Sequence, residues 1–210
     1  MSLQFIIGRA GSGKTHYCME EIKKILRQDP RGNPLILLVP EQATYQNELA
    51  LAKDPRLGGL IRIQVLSFER LTWRLLQEVG GSARIHLSDL GKKMVLRKII
   101  EESKDKLKVF KRAAGQVGFV EGLAEALSEL KRYNASPERI AVKLGEENNP
   151  DLLQAKLHDL IFLYNATEAY LATGYLDPDD HLLLLAQRIE GSQMLKDAYI
   201  WMDGYTGFTP

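Results

Sequence analysis

A single cysteine, Cys18, leaves this chain no internal disulfide, and no Cys/His pairing at metal-ligand spacing stands in for one. Both absences fit a reducing compartment. The chain also lacks a dominant charge: the formal net charge is +1, which excludes a global electrostatic signature of nucleic acid or of an acidic partner. No apolar run approaches a membrane span, and no basic segment with a long apolar region precedes the first expected strand. The expectation is a cytoplasmic protein with no membrane association. The four histidines, His16, His86, His158 and His181, are scattered and read as structural or solvent-facing. Disorder is excluded too, because 45% hydrophobic residues in 210 suffice for one large domain or one domain with a sizeable insertion.

What is present centres on Gly8-Arg9-Ala10-Gly11-Ser12-Gly13-Lys14-Thr15, which fits the phosphate-loop pattern G-x-x-x-x-G-K-[ST]. The apolar run Leu3-Gln4-Phe5-Ile6-Ile7 is expected to enter it as a short buried strand, and residues 14 to 27 to leave it as an amphipathic helix. Glycines at 8, 11 and 13 let the backbone turn its N–H groups toward an anion, and the helix start adds its positive dipole end. ATP is the natural guest. Lys14 would reach its β- and γ-phosphates, and the Thr15 hydroxyl would ligate the bridging Mg²⁺. Cys18 shares a helix face with Ile22, Ile25 and Leu26 and reads as a buried structural thiol.

Further along, Leu35 to Val39 is a continuous apolar run, the pattern of a strand covered on both faces; Pro40 ends it. Helix 41–52, strand 61–66 and helix 68–78 follow, and three βα units in a row specify a doubly wound α/β sheet. From Ser82 to about Tyr175 the signals are helical, over 89–103, 119–133, a short helix from Pro137 to Gly145, and a long one from Asn149-Pro150 carrying Leu153, Leu157, Leu160, Tyr164 and Leu171 on one face. Helix 179–190 leads to Ala198-Tyr199-Ile200-Trp201-Met202-Asp203, an apolar strand ending in the carboxylate expected to hold Mg²⁺ beside a phosphate loop. The expected domains are therefore 1–81, a helical insertion over 82–175, and a return to the sheet over 176–210. Charge is segregated along them: residues 92 to 112 hold nine Lys or Arg against three acids. That segment is either a DNA-backbone contact or a solvated helical face.

The order of segments resembles the first RecA-like lobe of superfamily 1 DNA helicases of the UvrD/RecB kind, in which a helical subdomain interrupts the lobe. More specifically, the phosphate loop together with Leu-Val-Pro-Glu-Gln-Ala-Thr (38–44), Val-Leu-Ser-Phe-Glu-Arg-Leu (65–71) and Asp-Gly-Tyr-Thr-Gly-Phe-Thr-Pro (203–210) resembles the AddB family of AddAB helicase-nucleases. The resemblance implies a RecA-like P-loop NTPase lobe, a parallel sheet flanked by helices, with an all-helical insertion. It implies ATP at residues 8 to 15 (Gly8, Arg9, Ala10, Gly11, Ser12, Gly13, Lys14 and Thr15), Mg²⁺ at Thr15 and Asp203, and DNA-facing or coupling roles around Gln42 and Ser67 to Phe68. DNA and an AddA-like motor and nuclease subunit are the implied partners. An iron-sulfur cluster and a nuclease domain would lie in sequence beyond Pro210. Asp177-Pro178-Asp179-Asp180 falls where relatives carry an acidic turn, but carboxylates at a helix N-terminus account for it.

One departure stands out. A working motor follows the Mg²⁺ aspartate with a glutamate that activates water, and this chain has Gly204. Loss of a positioned base typically costs about 10² to 10⁴ in rate. The chain thus reads as an ATP-binding fragment of a helicase/deoxyribonuclease subunit with weak or absent hydrolysis of its own. A small phosphate-loop kinase and a non-catalytic DNA-binding scaffold are the competing readings.

Overall fold

The computed structural model describes residues 2–57, 62–80, 84–146 and 151–209, which divide into two compact units. The first comprises residues 1–81 and 182–208, the second 82–181.

In the first unit α1 (Lys14–Gln28), β1 (Leu35–Leu38), α2 (Glu41–Ala52), β2 (Ile63–Leu66) and α3 (Phe68–Val79) follow one another, and α9 (His181–Arg188) and β5 (Tyr199–Met202) complete it. The sheet is parallel, with order β2-β1-β5 and Leu35 in register with both Ile63 and Tyr199. β1 is central and wholly buried because its alternating side chains feed two cores. Leu35, Leu37 and Val39 pack with Met19, Ile22 and Leu26 of α1 and Leu51 of α2. Ile36 and Leu38 point the other way, onto Leu71 and Leu75 of α3 and Leu185 of α9. An unbroken apolar run is the sequence signature of such two-sided burial. Cys18 is buried on the inner face of α1, as its spacing implies.

The expected entry strand does not form. Residues 3 to 7 join no ladder, and Leu3, Phe5 and Ile7 are 81%, 76% and 93% exposed. Apolar, β-prone composition makes a strand only where a neighbouring edge receives it. The sheet accordingly ends at β5, whose Tyr199, Ile200 and Met202 are themselves about half exposed.

The second unit is helical: α4 (Asp89–Ser103), α5 (Phe110–Ala113), α6 (Phe119–Arg132), α7 (Pro137–Glu146) and α8 (Asp151–Leu171). Two short strands, β3 (Ile85–His86) and β4 (Tyr175–Leu176), pair in parallel, a ladder too short for hydrophobic patterning to announce. Leu96, Ile99 and Ile100 of α4, Leu123 and Leu127 of α6, and Leu163 and Tyr164 of α8 form its core. The apolar stripe read along α8 is buried only in its second half, since Leu153 is 40% exposed.

The turn Asp177–Asp180 is more than a helix start. Asp177, whose carboxylate is fully buried, takes Lys131 at 2.8 Å and Lys92 at 3.2 Å; Lys131 also reaches Asp180 at 2.9 Å and Glu168 at 2.7 Å, and Lys92 bonds Asp179. Lysines from α4 and α6 are thereby tied to one acidic turn. Burial pushes the Asp177 pKa up, but the two ammonium groups outweigh it and hold the group below its ordinary value.

Candidate nucleotide and nucleic-acid site

The loop from Gly8 to Gly13 has the backbone that its glycines permit. Gly11 and Gly13 sit at φ 76° and 87°, in the left-handed region, and a Cβ on Gly8 would lie 2.4 Å from the Ser12 hydroxyl oxygen. α1 starts at Lys14 with Gly13 as its N-cap, so no side chain caps the first-turn N–H groups. The Lys14 ammonium folds back over the loop and donates to the carbonyls of Gly8 and Arg9, each at 2.9 Å. Arg9, Ala10, Ser12 and Thr15 are exposed beside it. Left-handed glycines thus lead directly into a helix start, and no strand leads into the loop.

Asp203 ends β5, where its N–H donates to the Leu38 carbonyl at 3.0 Å. Its carboxylate acts on α1: burial raises the Cys18 thiol pKa first, and the charges of Asp203 and Glu21 raise it further. Thr15 lies one turn before Cys18 on the same helix face. Glu21 also accepts the Trp201 indole N–H at 3.5 Å, which fastens β5 to α1. The next residue, Gly204, adopts φ 79°, and a Cβ there would meet Pro40 Cδ at 3.2 Å. Both conformation and space disfavour any side chain at this position.

The carboxyl ends of β1, β2 and β5 carry the remaining motif residues, the edge where open α/β sheets bind ligands. Gln42 is exposed on the first turn of α2. Ser67 has a structural duty, capping α3 by accepting the Arg70 N–H at 3.3 Å. Phe68 packs against Tyr205 and Phe208, with ring centroids 5.4 and 6.5 Å away. Phe208 is 68% exposed, and the buried Tyr205 hydroxyl has no hydrogen-bond partner among the described residues. Arg70 pairs with Glu41 at 2.9 Å. Along the outer edge of β2, a cleft of about 530 Å³ is lined by Ile63 to Leu66, Glu48, Arg70, Trp73 and Arg74. The Gln64 Oε1 is buried without a partner among the described residues. The sequence motifs suggest roles around Gln42, Ser67 and Phe68; Arg70, Tyr205 and Phe208 stand in those motifs without an assigned role, and Arg74 lies outside them.

These features define an α/β protein with a small parallel sheet and a helical unit inserted ahead of its last strand, its polar and aromatic rim at the carboxyl ends of the strands. The chain belongs to the AddB N-terminal family, whose model matches residues 5–210. It is 57% identical over 213 residues to the AddB subunit of the ATP-dependent helicase/deoxyribonuclease of Heliobacterium modesticaldum, covering all of this chain and 17% of that protein. The corresponding subunits of Desulforamulus reducens, 54% identical over 212 residues, and Geobacillus kaustophilus, 47% identical over 216, are each likewise matched along the whole of this chain, which covers 18% of either. The chain thus spans under a fifth of the length of these relatives.

Proposed function

We propose that this chain is the N-terminal nucleotide- and DNA-binding region of a helicase/deoxyribonuclease subunit, working in a DNA double-strand-break-processing complex beside an AddA-like motor and nuclease subunit. The observation that carries the nucleotide reading is the loop conformation at Gly8 to Lys14: left-handed glycines, an uncapped helix start, and an ammonium folded across the loop. The residues fit the phosphates of ATP, with Lys14 moving from the loop carbonyls to the β- and γ-phosphates. They also fit Mg²⁺, which Thr15 and Asp203 would hold and which would screen the phosphate charge. A RecA-like lobe further requires residues 3 to 7 to pair along the outer edge of β5, where exposed apolar side chains on both partners favour it.

Hydrolysis is expected to be weak or absent, because Gly204 supplies no base and its backbone does not suit one. At the rim, the exposed Phe208 ring, backed by Tyr205 and Phe68, suits stacking against a base of a single strand, and the exposed Arg74 suits its phosphates. No helix among the described residues is long and apolar enough to cross a membrane. We infer a cytoplasmic site of action from the DNA-processing reading. The test is calorimetry with ATP and Mg²⁺ on the folded chain. Binding heat that disappears in Lys14→Ala is expected; no heat at millimolar nucleotide would overturn the reading.

A further inference from the structure

Apart from the half-buried Lys93, the cations of residues 92 to 112 divide into two groups once folded. Lys92 is buried in the acidic cluster, Arg97 and Lys98 pair with Glu101 and Glu102 one turn on, and Lys111 is bridged to Asp105 at 2.7 Å. Lys104, Lys106, Lys108 and Arg112 are exposed, and among the described residues none of them has an ion-pair partner. All four fall within nine residues whose net charge is +4.

This segment is anchored rather than loose. The carboxylate of Asp159, on α8 and fully buried, accepts the backbone N–H groups of Lys108, Val109 and Phe110 at 3.0, 2.7 and 2.9 Å. Leu107 is buried, and the Phe110 ring packs on Phe119 at 5.4 Å. Three N–H bonds satisfy the one buried carboxylate nearby, so the cations project from a fixed backbone and lose little chain entropy on binding an anion. The segment's one aromatic residue, Phe110, packs on Phe119 of α6, and Phe162 of α8 lies beneath the Lys106 ammonium at 5.9 Å. No ring between 104 and 118 is exposed to stack on an unpaired base.

We propose that Lys104, Lys106, Lys108 and Arg112 form a contact for the phosphate backbone of duplex DNA. The proposal rests on the DNA-processing reading above. Cations without stacking rings suit a paired backbone, which offers dense phosphates and no free bases.

Fluorescence anisotropy of the whole 210-residue chain with a random-sequence duplex tests it across a salt series. Substituting the four cations by alanine should make affinity about a hundredfold less sensitive to salt between about 50 and 200 mM, the change expected for four phosphate contacts. Circular dichroism confirms that the variant is folded, and a variant losing the exposed Lys24, Arg31, Lys53 and Lys196 controls for bulk charge. An equal change in that control would overturn the proposal. So would a defect confined to single-stranded DNA, or binding of polyglutamate weakened as much as binding of the duplex. Nucleotide affinity, measured on the same variants, reports on residues 8 to 15 and is expected to be unchanged, so the two readings fail separately.

Discussion

Gly204 and Lys131 show how much one residue decides here. With φ 79° and Pro40 Cδ 3.2 Å from a would-be Cβ, Gly204 holds a conformation that other residues adopt only with strain. Gly204→Ala is expected to lower stability by about 1 to 2 kcal/mol, read from denaturant melts. Gly204→Glu should carry at least the same penalty, and phosphate release is expected to stay unchanged. A rise in ATP turnover would contradict this. Lys131 is the centre of the acidic cluster, with carboxylates at 2.7 to 2.9 Å from three residues. Burial favours its neutral form, but the charge of Asp177 and its hydrogen bonds to Asp177 and Glu168 override that and raise its pKa. Lys131→Ala leaves buried carboxylates under-compensated and should cost about 3 to 5 kcal/mol, the range for breaking a buried ion pair from one side. An effect below about 1 kcal/mol in denaturant melts would show that Lys92 suffices.

Among the elements, those built on local chemistry were legible and those built on distant partners were not. The cap Ser88, the Pro40 stop and the 3.6-residue stripes of α1, α3, α4 and α6 mark those helices closely, because each signal sits within a turn of the element it bounds. The four-residue α5 and the β3–β4 ladder carry no such signal. They exist because Asp159 and the chain's re-entry at Tyr175 hold them, contacts about fifty and ninety residues distant in sequence. The same anchor gives the helical unit a pH dependence. Burial pushes the Asp159 pKa up, three backbone N–H bonds prevail, and the folded value lies below the ordinary one. A depressed carboxylate stabilises the fold above its unfolded pKa of about 3.9 and loses that contribution as pH falls through the folded value. Asp177 has the same sign. Denaturant midpoints should therefore hold level from about pH 7 to 5 and drop below about pH 4, and the drop should be smaller in Asp159→Asn. An unchanged acid profile in that variant would remove Asp159 from the account.

For the whole molecule, the segment order was readable because strand and helix patterns alternate and then give way to helices alone. The family resemblance was carried by motifs at both ends of the chain, and the family model matches residues 5–210. What composition could not decide was whether residues 3 to 7 pair: an apolar run says that a segment can be a strand, and only an edge says that it is. That is where the nucleotide reading is most exposed, since a phosphate loop is held between a strand and a helix. Hydrogen–deuterium exchange with and without ATP and Mg²⁺ addresses it directly. Nucleotide is expected to slow exchange together at the amides of residues 4 to 7 and 11 to 16, with β5 following, as loop and entry strand order around phosphate. Protection that leaves residues 4 to 16 unchanged, or none at all in a folded chain at saturating nucleotide, would contradict the claim that this loop binds ATP.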